Sequence, residues 1–167
     1  MRFCSRCGAP LRLVTVDGIQ RERCSNCAAI AFRNPTPVGL AVIEHDEQLV
    51  LVRRAIDPLC GYWAPPGGYV ECGESVPEAV VREAREETAL LIEVDGLIGA
   101  YSHADVDVII LAYRARSIGG QPRAGDDAAD LGLFARGKLP RQQAPATGTA
   151  TDRWFYQVIQ DVTAAWR

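Results

Sequence analysis

Hydrophobic positions along the chain fall into short blocks with two different periods. Leu11-Arg-Leu-Val-Thr-Val16 and Ile19-Gln-Arg-Glu-Arg23 flank Asp17-Gly18, a pattern that predicts a hairpin closed by a tight turn. Val38–Ile43 is a short apolar run that reads as a buried strand, with Gln48–Arg54 as its partner across the polar turn Glu44–Glu47. Residues 56–68 are rich in Gly and Pro and read as a loop. The period then changes. Val76, Ala79, Val80 and Ala84 recur at helical spacing and predict a helix over 75–88. Ser75 suits the N-cap, Pro77 the first turn, and Glu78 completes a capping box.

Beyond the helix, Leu91–Val94 and Leu97–Ser102 read as a strand or strand pair, and Val106–Arg116 as the clearest long strand. Residues 118–130 form a polar, Gly-rich loop, and Leu133-Phe134 begin a short strand or turn. Residues 136–150 are irregular. Trp154, Phe155, Val158, Ile159, Val162 and Trp166 predict a closing amphipathic helix over 153–166.

Cysteine spacing divides this pattern. Four of the six cysteines stand in two CxxC pairs, Cys4/Cys7 and Cys24/Cys27, around the first hairpin. Each CxxC turn presents two thiolates at one tetrahedral edge, so two turns complete a zinc shell. Asn34-Pro-Thr-Pro37 punctuates the chain after this segment. The expectation is a small Cys4 zinc ribbon over 1–33 and a larger domain over 34–167. The ribbon is too small to fold on a hydrophobic core, so structural Zn²⁺ would supply its folding free energy. Cys60 and Cys72 have no such partners and are expected at or near packed positions. His45 and His103 are isolated, which suggests surface or hydrogen-bonding roles.

Charge and hydropathy narrow the partners. A formal net charge of −3 speaks against broad phosphate-backbone binding, so nucleic acid is not an expected partner. No apolar run is long enough for a bilayer, and MRFCSRCGAP lacks the apolar core of a signal peptide. A cytoplasmic protein without a membrane partner is the expectation.

The chemistry concentrates in GGYVECGESVPEAVVREAREETAL, residues 67–90. Glu83, Glu86 and Glu87 share one helical face, where like charges repel by a few tenths of a kcal/mol per pair. Hard divalent cations, Mg²⁺ or Mn²⁺, would compensate them through oxygen ligands. Gly67-Gly68 lets the backbone approach such a site, and Arg82 can orient a carboxylate. On spacing alone, a solvated acidic helix face with Glu–Arg pairs explains the run equally well.

The same stretch resembles the Nudix box, G-x5-E-x7-R-E-U-x-E-E-x-G-U, where U is a bulky aliphatic. Gly68, Glu74, Arg82, Glu83, Glu86, Glu87 and Leu90 fall on the motif; Ala84 takes the first U position and Ala89 replaces the last glycine. Trp63-Ala-Pro-Pro-Gly-Gly68 is similar to the family's entry to the box, and residues 1–33 resemble the zinc ribbon that precedes it in some members. The resemblance, over 37 to about 140, implies an α/β fold: a Nudix α/β/α sandwich around a mixed sheet. It implies hydrolysis of a nucleoside diphosphate linked to another moiety. Glu83, Glu86 and Glu87 would hold the divalent ions, with the Gly67 carbonyl as a further ligand, while Arg82 and Glu74 hold the loop–helix–loop in shape. Asp127, on the loop before Leu133, would be an extra metal ligand. The general base would be Glu86 or an acid on a later loop. A homodimer is a family-level expectation.

For substrate, the resemblance favours ADP-ribose or FAD. An NADH pyrophosphatase would carry an SQPWPFPxS-like segment after the box, and Ala100–Val108 has none. A nucleoside triphosphate pyrophosphatase, or a non-catalytic ligand sensor or binding module, are the remaining alternatives. The intact carboxylates favour an enzyme. Tyr62, Tyr69 and Tyr101 are candidates for base contact, and Arg53 or Arg54 for phosphate contact. Trp63 is expected to pack. Alanine at 89 predicts a slightly different helix exit, since left-handed geometry there costs on the order of 1 kcal/mol.

Overall fold

The structure is a computed structural model that describes residues 2–125 and 127–166. It divides into two compact units, Met1–Asn34 and Pro35–Arg167.

In the first unit, β1 (Leu11–Val16), β2 (Ile19–Cys24) and β3 (Ile30–Ala31) form a small antiparallel sheet in the order β1-β2-β3. The β1–β2 turn works because Asp17 and Gly18 both adopt positive φ, 50° and 78°, the pair of left-handed residues that matches strand twist. The ends of this sheet bring the two CxxC turns together.

The second unit is built around β4 (Thr36–His45), which pairs in parallel with β9 (Val108–Gly120) and antiparallel with β5 (Gln48–Arg54). β10 (Ala128–Ala135) extends the sheet beyond β5, and β8 (Leu90–Ser102) extends it beyond β9. The order β10-β5-β4-β9-β8 is therefore mixed. Two short strands lie off this path: β6 (Trp63–Ala64) pairs with β5, and β7 (Gly67–Tyr69) pairs with β4.

Alternation along β4 sends successive side chains to opposite faces. Leu40 and Val42 enter one core with Leu49, Leu51, Ile110 and the inner face of α2 (Ala150–Val162), contributed by Phe155, Val158, Ile159 and Val162. Ala41 and Ile43 enter a second core with Val50, Leu90, Ile92 and the inner face of α1 (Val76–Thr88), contributed by Val80 and Ala84. Both faces of the sheet are covered, which is the expected α/β/α sandwich.

Helix α1 starts as its sequence predicts: Ser75 caps it, and Glu78 closes the capping box on the Ser75 N–H at 2.7 Å. Its end departs from expectation. Ala89 does not avoid the left-handed geometry; it adopts it, with φ 58°, and its N–H donates to the Arg85 carbonyl at 2.9 Å. Buried neighbours impose this. The Thr88 hydroxyl bonds the Ala84 carbonyl, and fully buried Leu90 must enter β8 at once.

Other expectations change too. Residues 56–68 contain β6 and the start of β7, each too short to show a period. The predicted strand pair at 91–102 is one long strand broken by register shifts near Leu91, Val94 and Leu97. The loop expected over 118–130 is partly strand: β9 runs to Gly120, and β10 begins at Ala128 rather than Leu133. Cys60 and Cys72 are exposed in turns rather than packed. Trp63 packs as expected, edge-on to Phe134 with ring centroids 5.2 Å apart.

Candidate active site

The site is assembled where β7 and α1 meet. Ladder bonds of β7 to β4 fall on alternate residues, with Ala41 N–H donating to the Pro66 carbonyl and Val70 N–H to the Pro37 carbonyl. Gly67, between them, turns its N–H to α1 and donates to Glu87 Oε2 at 3.0 Å. A side chain at Gly67 has no room: its Cβ would sit 2.1 Å from the Gly39 carbonyl oxygen, on a backbone with φ 156°. At Gly68 a Cβ would lie 2.5 Å from a Glu83 carboxylate oxygen. The double glycine is thus the floor against which Glu83 and Glu87 rest.

Arg82 organises the outer side of this floor. Its guanidinium donates to Glu74 Oε1 at 2.7 Å and Oε2 at 3.1 Å, to Glu83 Oε1 at 2.7 Å, to Glu86 Oε2 at 3.1 Å and to the Tyr69 carbonyl at 3.0 Å. One cation therefore ties the loop before α1, the end of β7 and three of the four box glutamates, Glu74, Glu83 and Glu86. The same bonds hold Arg82 protonated far above its ordinary range, Glu74 first and Glu83 next.

The C-terminal end of α1 is closed by the segment between β9 and β10. Arg123 N–H donates to the Thr88 carbonyl at 2.9 Å and Gly125 N–H to the Glu87 carbonyl at 3.0 Å, satisfying carbonyls the helix leaves unpaired. A Cβ at Gly125 would lie 1.9 Å from the Glu86 carbonyl oxygen, so glycine permits this approach. Asp127 follows two residues later and is delivered to the same pocket as Glu83 and Glu87. Asp126 lies outside the described residues.

That pocket has a cavity of about 380 Å³ and two characters. Glu83, Glu87, Asp127 and Gly67-Gly68 supply polar groups to its lining; Val38, Ile110, Trp154 and Phe155 are among the residues that supply apolar surface, and Arg54 also lines it. Burial pushes the Glu87 carboxyl up to about 7, opposed by the Gly67 N–H. Burial also raises Glu83, opposed by Arg82. Burial lowers Arg54, with Glu87 opposing. The Arg54 guanidinium is seated by an Nε–H bond to the Pro58 carbonyl at 2.6 Å and lies 5.2 Å from the centre of the Phe155 ring.

Several sequence candidates separate at this point. Glu86 is more than half exposed, bonded to Arg82, and does not line the pocket. Arg53 does not line it either; it donates to the Gly61 carbonyl at 3.1 Å and borders a shallower groove together with Tyr62. Tyr62 packs edge-on to Tyr156, and Tyr101 packs against the α2-side core. Exposed Tyr69 does line the pocket. Thr151, Trp154 and Phe155, from the first turns of α2, also line it; the sequence reading placed Trp154 and Phe155 only in a closing helix and left Thr151 outside it. No local motif marks them, because the fold brings them to the site from far along the chain.

In the ribbon unit, the four Sγ atoms of Cys4, Cys7, Cys24 and Cys27 lie within 4.8 Å of one another. Two of the approaches, Cys4–Cys27 at 3.7 Å and Cys7–Cys24 at 3.4 Å, come close to the edge of about 3.8 Å that Zn–S bonds of ~2.3 Å require. The N–H groups of Cys27 and Asn26 point at Cys24 Sγ, both at 3.4 Å, and lower its thiol to about 6. This donor set fits a tetrahedral thiophilic ion and could hold zinc.

A family model described as NUDIX domain matches residues 33–156. The chain belongs to the Nudix family. It is a Nudix hydrolase with its box carboxylates intact. An ADP-ribose pyrophosphatase from Methanocaldococcus jannaschii is 45% identical over 114 residues, covering 66% of this chain and 68% of that protein. The NAD-capped RNA hydrolase NudC of Pseudomonas aeruginosa is 28% identical over 149 residues, 87% of this chain, which spans about half of NudC's length (52%). Among solved structures, a Nudix hydrolase from Nitrosomonas europaea superposes with a TM-score of 0.83 at 27% identity, covering 97% of this chain and 88% of that one. Among the described residues, no helix is long and apolar enough to cross a membrane.

Proposed function

We propose that the chain hydrolyses the pyrophosphate bond of ADP-ribose in a reaction that requires Mg²⁺ or Mn²⁺. The observation that carries this reading is that Glu83, Glu87 and Asp127 line one pocket together with apolar residues such as Val38, Ile110, Trp154 and Phe155. Carboxylate oxygens are the ligands that hard divalent ions take. Burial raises the pKa of Glu87, and the Gly67 N–H and the Arg54 charge offset it only in part, so a cation would complete the group. Glu83, Glu87 and Asp127 would hold the ions, and Glu86 would join them by turning off Arg82. When bound, the ions would polarise phosphorus and make a water nucleophilic near neutral pH.

The chain's own residues do the rest. Gly67 N–H fixes one Glu87 oxygen and leaves the other for the site. Arg82 and Glu74 keep the loop and helix in register. Arg54, seated on Phe155, offers its guanidinium to a substrate phosphate as a charge-assisted donor. The apolar lining takes the nucleoside end and keeps bulk water from the anhydride. ADP-ribose is preferred over FAD because the relative at 45% identity is an ADP-ribose pyrophosphatase. In the ribbon unit, we assign a structural zinc to the four cysteines.

A panel of ADP-ribose, FAD, NADH and nucleoside triphosphates, assayed with Mg²⁺ or Mn²⁺ for nucleoside monophosphate release, tests the assignment. ADP-ribose is expected to show the highest kcat/KM. A triphosphate turned over faster than every dinucleotide-like substrate would replace this reading.

A further inference from the structure

The net charge of −3 conceals a division. Residues 1–34 carry six arginines against Asp17 and Glu22, while the remainder carries twelve Lys and Arg against nineteen Asp and Glu. A zinc tetrathiolate would return two negative charges to the ribbon, but on a particular side. Cys24 is paired with Leu11 in the β1–β2 register, so its side chain leaves the sheet on the face that also carries Leu13 and Glu22. The other face carries Arg12, Val14, Arg21, Arg23 and Ile30, and Phe32 follows on the same side just past β3.

This second face is built against its own electrostatics. Arg12 and Arg23 are direct cross-strand partners, and both are exposed. Like charges placed opposite each other destabilise an antiparallel pair. Among the described residues of the ribbon, none relieves them. Glu22 points to the opposite face, where it pairs with Arg2 at 3.2 Å. Among the described residues Arg12 has no ion pair, and Arg23 donates only to the Ala28 carbonyl at 3.3 Å. Beside them Arg21 lies 5.1 Å from the centre of the Phe32 ring, and that ring is 63% exposed. An exposed aromatic ring next to three arginines on one sheet face supplies stacking and backbone neutralisation together, the two requirements for holding a single strand without sequence preference.

We infer that this ribbon face binds single-stranded RNA, with Arg12 and Arg23 on the phosphates and Phe32 under a base. The choice of RNA over DNA rests on the ribonucleoside diphosphate substrate proposed above; the polyanion argument does not.

The test is fluorescence anisotropy of the zinc-loaded full chain with a labelled 20-nucleotide U-rich RNA. A Kd on the order of 10 µM at 50 mM salt is expected, with the two phosphate contacts weakening it about sevenfold at 200 mM. Arg12→Gln/Arg23→Gln should bind at least tenfold more weakly, with a salt slope shallower by about 1.4. Phe32→Ala should weaken binding about fivefold or more. Arg2→Gln, on the opposite face, should change it less than twofold. Zinc content and ADP-ribose turnover should be unchanged in all three variants, which separates lost binding from lost folding. No RNA binding at 50 mM salt, or a double variant that binds like the parent, would overturn the inference. Displacement of RNA by polyglutamate as readily as by unlabelled RNA would replace it with an acidic protein partner. Equal affinity for a DNA strand would overturn the choice of RNA. Arginine-dependent RNA binding in a protein inactive on ADP-ribose would leave this inference standing and remove the proposed substrate.

Discussion

The backbone N–H of Gly67 donates to Glu87 Oε2 at 3.0 Å, and this single bond joins β7 to the end of α1. It fixes the most perturbed carboxylate of the site against a backbone that has no side chain in the way. The geometry exists because two β7 residues are glycine and because α1 ends one residue later.

Gly67→Ala should therefore fail by sterics. The new Cβ would meet the Gly39 carbonyl oxygen at 2.1 Å and Leu40 Cα at 2.9 Å. A loss of at least about 3 kcal/mol is expected, in the range of severe core disruptions. Urea denaturation measures it. A change below about 1 kcal/mol would show that β7 can shift away from β4 at little cost.

Ala89→Gly should stabilise. Ala89 holds φ 58°, a left-handed geometry that costs an L-residue about 1 kcal/mol and glycine almost nothing. The midpoint of thermal unfolding should rise by roughly 2–4 °C. An unchanged or lower midpoint would mean that the alanine methyl contributes packing equal to the strain.

The carboxyl of Glu87 predicts a pH dependence for the ion-free protein. Its folded pKa, about 7, lies above the ordinary 4.5. Between these values the folded state binds more protons than the unfolded one, so stability falls as pH rises through this window and levels off above it. Denaturation in EDTA between pH 5 and 8 should show this decline, and Glu87→Gln should flatten it. Added Mg²⁺ should restore stability most strongly near pH 8, where the carboxylate is charged. A decline of equal steepness in the Glu87→Gln variant would place its source elsewhere.

The zinc assigned to the four cysteines gives a fourth prediction. Roughly one zinc should copurify per chain and be lost in Cys7→Ser, with unfolding of the ribbon sheet seen as lost amide protection in β1 and β2. Protein purified in reductant without zinc, yet with β1 and β2 fully protected, would assign the ribbon's stability to its apolar contacts instead.

Much of this architecture was legible because its causes are local. The Asp17-Gly18 turn, the Ser75–Glu78 capping box and the 3.6-residue stripe of α1 each act within a few residues, so their signals survive in the linear pattern. The acidic box was legible as a cluster, but its division was not. Arg82 draws Glu86 outward and Gly67 draws Glu87 inward, and both choices depend on β7, a strand of three residues. The apolar lining was also hidden. Trp154 and Phe155 carry the periodicity of a packing helix, and only the sandwich topology places its first turns beside Arg54. Residue 89 was misjudged for a related reason: Thr88 and Leu90, both buried, force the left-handed exit that alanine disfavours. The basic ribbon face was masked by averaging charge over two units of opposite sign.

The central claim is that Glu87 helps hold the divalent ions that hydrolysis of ADP-ribose needs. Steady-state turnover of Glu87→Gln with saturating Mg²⁺, alongside circular dichroism and thermal unfolding, tests it most directly. The account predicts a fall in kcat of about two orders of magnitude or more, with the fold retained. Turnover within a few-fold of the parent would contradict it and remove Glu87 from the site.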